Sequence, residues 1–553
     1  MRKLFAKILA LALGATIAFT ATGCGLGPQV EQEGDPTKTI LRIGNIYSGL
    51  RDEWLTTIEK SFESKYEGIS FEDDKTGVDI VIDNNGSYNG TKVMDSVDKN
   101  DVWFTYMLNY NELVSRGLAM DITEVVTGDL GEVEESEAGV TIESKLSKNI
   151  KDDFKAVGGG KYYALPFYET YYGIVYDVDF FESEGFYFAK DFDRTGSLAN
   201  MFVISAEDDR SCGPDGDYGT WDDGLPETYE DFYNLCRYIK ACTMTPLSYP
   251  GQFVHYWTRY LFQVWADYEG ADQMMLNFTL NGTAKNLVEI KDGDLVEKDD
   301  IGISATNAYE LQGQAGKYYA LQFANTLAKN KNWFSTSSSG TGQSQEMNQK
   351  EFLYSKKASS RIAMCLDGSW FNCESSSTYT DMVNGGDRSA GRYTRKIGFM
   401  PIPKATSDKV GETLTFVDSS RSACFIRSGL TGAKATVAKL FMKYFHNNES
   451  LAVWTEKTET TRPFNYTVDS TKLSHFGNMM MDIHNNSNVI FQYSNNKTFL
   501  QNAGIFDLDT WAFSTIKSYS NPFVTFRDTN TSINDYFNGM YSTQKASIQS
   551  LIK

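Results

Sequence analysis

Between Gly158 and Phe181 the chain reads GGGKYYALPFYETYYGIVYDVDFF. Phe167, Tyr168, Tyr171 and Tyr172 crowd around one acid, Glu169. Aromatic faces beside a lone carboxylate supply stacking surfaces and a hydrogen-bond acceptor, the pair of features a neutral polyol needs. A pair of aromatic core strands would use the same residues, so both readings stay open on this stretch alone. A second candidate is Cys212–Gly224, where Asp215, Asp217, Asp222 and Asp223 give the oxygen density and alternate spacing of a calcium loop. It lacks the full twelve-residue pattern and its terminal Glu, and a solvated acidic turn is the competing reading. His255, His446, His475 and His484 form no HxxxH or HExxH pattern, which argues against zinc. The chain contains no GxSxG, no P-loop and no nucleophile elbow.

The elements around these residues alternate. Residues 40–46 alternate like a strand, and 48–66 repeat Trp54, Leu55, Ile58 and Phe62 at helical spacing. Strands are predicted at 78–82 and 102–106, and a helix at 109–116. Tyr47, Asn84, Asn85 and Tyr106 fall at carboxyl ends of these strands, where α/β sheets bind ligands. Further on, Thr228 reads as the N-cap of a helix running to about 241, and 249–269 as a helix rich in Trp and Tyr. Residues 272–344 read as polar helices and loops. Residues 357–371 read as strand, turn and helix, 397–403 and 423–426 as strands, and 434–446 as an amphipathic helix. From 451 onward the pattern is mostly helical.

The N-terminus has a basic n-region (Arg2, Lys3, Lys7), a short apolar stretch at 8–19 and Ala21-Thr22-Gly23-Cys24. This resembles a bacterial lipoprotein cleavage box, with Ala21 where Leu is more usual. It predicts a signal peptide over 1–23, lipidation of Cys24 and a polar tether over 24–38. The net charge of −20 argues against nucleic acid and anionic lipid surfaces. Apart from Cys24 there are six cysteines, without a CxxC pair. They read as buried thiols, with one or two bridges left open.

Several segments in order resemble one family, the sugar-binding solute-binding lipoproteins of ABC importers (the maltose-binding-protein-like group). They are GGKYYALPFYETYYGIVYDVDFFESEGF, LPETYEDFYNLCRYIK, RIAMCLDGSWF and RKIGFMPIPKA. Asp177 departs from the family's usual Asn, and two insertions, near 186–224 and 270–350, are additional. The resemblance implies an α/β two-lobe clamp, each lobe a mostly parallel sheet flanked by helices. The N-lobe would be 39–165 plus 405–450 and the C-lobe 173–396 plus 455–553. Hinges are expected near 163–172, 400–404 and 451–462.

The resemblance also implies an oligosaccharide ligand, an ABC permease partner, a monomer anchored to the cell membrane and facing outside, and no catalytic residues or cofactor. Trp370 is then expected to stack a sugar ring, with helix capping as its alternative role. Asp367 is expected to accept sugar hydroxyls or to cap the helix. Glu169 and Tyr168 lie on the hinge run, and Tyr256 and Trp257 are further ligand candidates. Tyr88, Arg259 and Arg462 are weighed too, the last as a hinge residue. A surface glycoside hydrolase using Asp367 and Glu169, or a peptide-binding clamp, are the competing readings.

Overall fold

A computed structural model describes residues 33–204, 209–357, 361–515 and 521–552. The leader, Cys24 and the start of the tether lie outside the described residues. The hydrophobic interior divides into two cores. The first surrounds a four-stranded sheet in the order Ala423–Ile426, Val102–Thr105, Thr39–Asn45, Val78–Asn84. Thr39–Asn45 is parallel to both of its neighbours, and Ala423–Ile426 is antiparallel at the edge. The helical repeat read from Trp54 onward forms Glu53–Lys65, and it buries Trp54, Leu55, Ile58 and Phe62 against this sheet. It starts five residues later than expected, because 48–52 are a loop. Trp54 packs on Phe104 at 5.3 Å and on Trp454 at 4.5 Å, the centre of an aromatic core.

The second core surrounds a mixed sheet in the order Ile397–Met400, Tyr172–Asp177, Ile362–Gly368, Thr245–Ser248. Here only the pair of Ile362–Gly368 with Thr245–Ser248 is parallel. Thr228 caps the helix Tyr229–Ala241 through a reciprocal capping box with Asp231. The Trp/Tyr-rich helix runs over His255–Thr279 and breaks direction at Gly270, whose φ of 71° suits glycine.

Several expectations change. Residues 272–344 are not only helix and loop: Gly282–Ala284 pairs with Ile301–Ile303 and Val288–Lys291 with Asp294–Glu297, both antiparallel. These strands are too short for period-two patterning to stand out. Residues 401–404 do not cross between lobes. Lys404 is buried in an ion pair with Asp267 at 2.9 Å, and its backbone pairs with Glu227 and Tyr229. Thr415–Asp418, expected in the N-lobe, pairs in parallel with Asn488–Phe491, expected to be helical, and Phe416 and Val417 join the second core. The second changeover therefore falls between Val417 and Ala423. The third falls between Tyr466 of the first core and Phe476 of the second, later than 451–462.

The crossings are tied together. Thr170 N–H donates to Asp418 Oδ2 (3.0 Å), and Ser422 Oγ donates to the Tyr168 carbonyl (2.8 Å). Glu169 bridges backbone to backbone with Thr461, accepts from its hydroxyl, and pairs with His484 Nδ1 at 2.6 Å. Arg462 is fully buried, stacked over Phe445 at 3.8 Å, and donates to the Phe445 carbonyl (2.6 Å), a purely structural position. Among the described residues no helix is long and apolar enough to cross a membrane, and the six described cysteines are free thiols, four of them buried.

The hinge network predicts a pH dependence. Burial pushes Asp418 up to about 7. Burial would lower His484, but the Glu169 charge and hydrogen bond outweigh it and raise its pKa. A raised acid costs stability progressively as pH climbs from about 3.9 to about 7. A raised histidine contributes stability that is complete below about pH 6.5 and is lost as pH rises through the folded value. Both act in one direction, so the share of stability that this hinge pair contributes is expected to fall from about pH 5 to about pH 8, and the stability difference between wild type and Glu169→Gln to shrink as pH rises through the folded value of His484. Calorimetry of the two proteins side by side checks it; a difference that grows with pH would contradict it.

Candidate functional site

The strand register decides what meets at the cleft. Tyr172 lies opposite Gly368, so the start of one strand and the end of its antiparallel neighbour share one edge of the second sheet. The chain leaves that edge at Gly368-Ser369-Trp370. A Cβ on Gly368 would lie 2.2 Å from the Trp370 ring, so the indole lies over a position only glycine can fill. This is the physical reason for the Gly-x-Trp spacing. Tyr172 meets Trp370 edge-on at 4.8 Å and Tyr256 at 5.0 Å and 90°, giving a three-ring aromatic corner. Gly368→Ala is expected to displace the indole and weaken ligand binding about tenfold, through loss of ring contact, while the fold persists. Titration calorimetry with the wild-type ligand, set beside circular dichroism, checks this.

These rings line a cleft of about 320 Å³ between the lobes. Ser48–Leu50, Tyr106 and Met107 face it from the first lobe, Tyr168, Thr170 and Ser419–Arg421 from the crossings. Glu374, Gln345, Arg259, Gln492 and 507–509 complete it from the second lobe. Two ion pairs set its polar groups: Arg259 with Asp509 and Arg421 with Asp507, each at 3.0 Å. Arg259 also donates to the Tyr172 hydroxyl (2.9 Å). Met107 and Arg421 hold left-handed φ values of 56° and 49°. Such strain in side-chain-bearing residues gathers where a site over-determines the backbone. Across the gap, Arg51 donates to the Glu374 carbonyl (3.1 Å).

The expected residues separate into two groups. Trp370, Tyr168, Tyr106 and Tyr256 line the cleft. Asp367 does not: it is fully buried and accepts from Gln349 at 3.1 Å. Burial, then the Glu374 carboxylate beyond the same Gln349, pushes it well above the carboxylate range. Glu169 is buried against Thr461 and His484 and braces the hinge instead. Asn84 donates to Asp52 (2.6 Å), and Asn85 forms a turn with Ser87. Tyr47 is exposed but stands off the cleft lining. Trp257 is core, stacked on Phe523 at 4.2 Å, and Tyr88 packs edge-on against Trp103 at 4.9 Å. In the acidic loop, Asp222 accepts from the Asp215 amide (3.1 Å) and Asp223 from the Gly219 amide (2.8 Å), so its carboxylates hold the turn together. Among the described residues no group of three His, Cys, Asp or Glu side chains is placed to hold a metal.

Glu374 was missed, although it stands one helical turn after Trp370, where i and i+4 side chains share a face. Arg421, Gln492, Asp507 and Asp509 carry no local signal; only the tertiary fold brings them here.

No protein-family model matches the chain, and no curated protein matches it. Solved structures do. The apo form of RafE from Streptococcus pneumoniae superposes with a TM-score of 0.54 at 13% identity, covering 93% of this chain and 99% of that one. A chitin oligosaccharide binding protein gives 0.54 at 13% identity, over 93% of this chain and 100% of that chain. A probable secreted solute-binding lipoprotein from Streptomyces coelicolor gives 0.54 at 10% identity, over 92% and 99%. With two cores, each built around a four-stranded sheet, and a cleft between them, the chain has the fold of the two-lobe solute-binding proteins.

Proposed function

We propose that this protein captures a neutral oligosaccharide in the cleft and delivers it to an ABC permease. The aromatic corner of Trp370, Tyr172 and Tyr256 carries the reading. It offers faces for pyranose C–H surfaces, with the arginine–aspartate pairs and Glu374 within the same cleft for hydroxyls. RafE, which shares the fold, has also been solved with raffinose, and another neighbour is named for chitin oligosaccharides. The ligand bridges both lobes and shifts the open–closed equilibrium toward closure. The leader and Cys24 support a lipid anchor on the outer face of the cell membrane.

The hydrolase reading loses its acid pair, because Asp367 and Glu169 are both buried away from the cleft. Thermal shift against neutral oligosaccharides, peptides and calcium tests the proposal. Ligand at a hundred times its Kd is expected to add about 2.7 kcal/mol, with the sugar recovered intact. Cleaved sugar would establish hydrolysis instead, a shift with peptides alone would change the ligand class, and a shift with calcium would revive the acidic loop as a cation site.

A further inference from the structure

The insertion near 186–224 builds a second surface on the C-lobe. Tyr172 and Tyr176 lie on one strand, and the first lines the cleft. Tyr176, four residues on and about 13 Å away at strand rise, lines a separate hollow of about 590 Å³. A neighbouring hollow of about 550 Å³ lies beyond the Gly219–Trp221 turn. Gly219, Thr220, Trp221 and Asp482 line both, so Trp221 stands as the ridge between them.

The turn is braced, not loose. Besides the two carboxylate–amide bonds described above, Thr220 Oγ1 donates to Asp222 Oδ1 (2.7 Å). Gly224, at φ 80°, lets the loop close on Tyr187 and Arg210, where a Cβ would stand 2.9 Å from Tyr187. Two more rings flank the first hollow, each backed by a cation: Arg210 lies 3.6 Å over Tyr187 and Lys190 4.4 Å over Tyr218. Glu182, Asp223 and Asp482 balance Lys190, Arg210 and Lys396 around it, which disfavours a strongly charged ligand. Among the described residues the Asp482 carboxylate has no hydrogen-bond donor within the chain, leaving an acceptor shared by both hollows.

From this we infer that the insertion forms a second binding site, for an extended neutral saccharide chain that straddles Trp221. Trp221 and the half-exposed Tyr218 offer rings, the first hollow carries balanced charges, and the second is lined by Asp215, Asp217, Glu412 and Asp482, whose carboxylates can accept from sugar hydroxyls; two such hollows in a row fit a run of sugar units better than a single small molecule. This surface is built from residues of its own and shares none with the cleft.

The test is calorimetric titration of the full chain with maltoheptaose, xylohexaose, cellohexaose and chitohexaose. At least one is expected to bind with an affinity that Trp370→Ala leaves unchanged and that Trp221→Ala and Tyr218→Ala each weaken about tenfold. Tyr218 is half exposed, so its variant keeps the test valid if Trp221→Ala folds poorly. If none of the four binds Trp370→Ala at about 5 mM, a generous limit for a weak site, or if Tyr218→Ala binds as wild type, the second site is overturned. Loss of all binding in Trp370→Ala alone would sink it while leaving the cleft reading intact.

Discussion

Trp370→Ala is expected to weaken oligosaccharide binding about a hundredfold, the scale on which removal of a central aromatic anchor is felt. The indole is only partly buried and packs against the edges of both cores, so it is positioned to contact ligand and lobes together. Tyr172 and Tyr256 hold it edge-on and stay in place when it is removed. Folding stability is therefore expected to drop by only about 1 kcal/mol, the share of apolar area that is buried. Trp370→Phe is expected to recover most of the affinity, because a smaller ring still presents a face. Calorimetric titration of the three proteins with one oligosaccharide measures this. Wild-type affinity in the alanine variant would remove the aromatic corner from the binding site and the proposed function with it.

The largest stability effect is expected at Asp177. Its carboxylate is fully buried, paired with Arg361 and with Arg395 at 2.7 Å, and it caps the helix Val178–Glu184 by accepting from Phe180 N–H at 3.2 Å. Burial would raise its pKa, but the two guanidinium groups outweigh that and hold it below the ordinary value. Asp177→Asn keeps the cap and removes the charge, leaving two cations without their partner. Breaking such a buried pair costs about 3–5 kcal/mol, to be read from the midpoint of urea unfolding. The wild-type contribution is complete above about pH 3.9, the unfolded value, and is lost as pH falls toward the depressed folded value. Binding by the folded variant is expected to be unchanged, because Asp177 sits at the far end of its strand from Tyr172. An acid suits this position because the guanidinium groups of Arg361 and Arg395 converge on it.

What the sequence determined by itself was local. Hydrophobic spacing marked Trp54, Leu55, Ile58 and Phe62 as one buried face, and Thr228 announced its helix as an N-cap. The resemblance of Gly368-Ser369-Trp370 to a family motif pointed to Trp370, which the structure places at the cleft over a glycine within the same three residues. Ordered segments along the chain pointed to the two-lobe fold. The tertiary structure decided which carboxylates face the ligand. Asp367 and Glu169 look like acceptors in one dimension but are consumed by Gln349 and by Thr461 and His484, partners that spacing along the chain does not place beside them. Arg421, Asp507 and Asp509 reach the cleft from more than a hundred residues beyond its aromatic core at Tyr168–Tyr172, and no periodicity encodes that meeting. The lobe changeover after Val417 was equally hidden, since a four-residue strand takes its lobe from its partner at Asn488–Phe491 and not from its own pattern. Spacing along the chain reports which face of an element is buried; what a buried or half-buried polar group bonds to depends on contacts that only the folded chain creates.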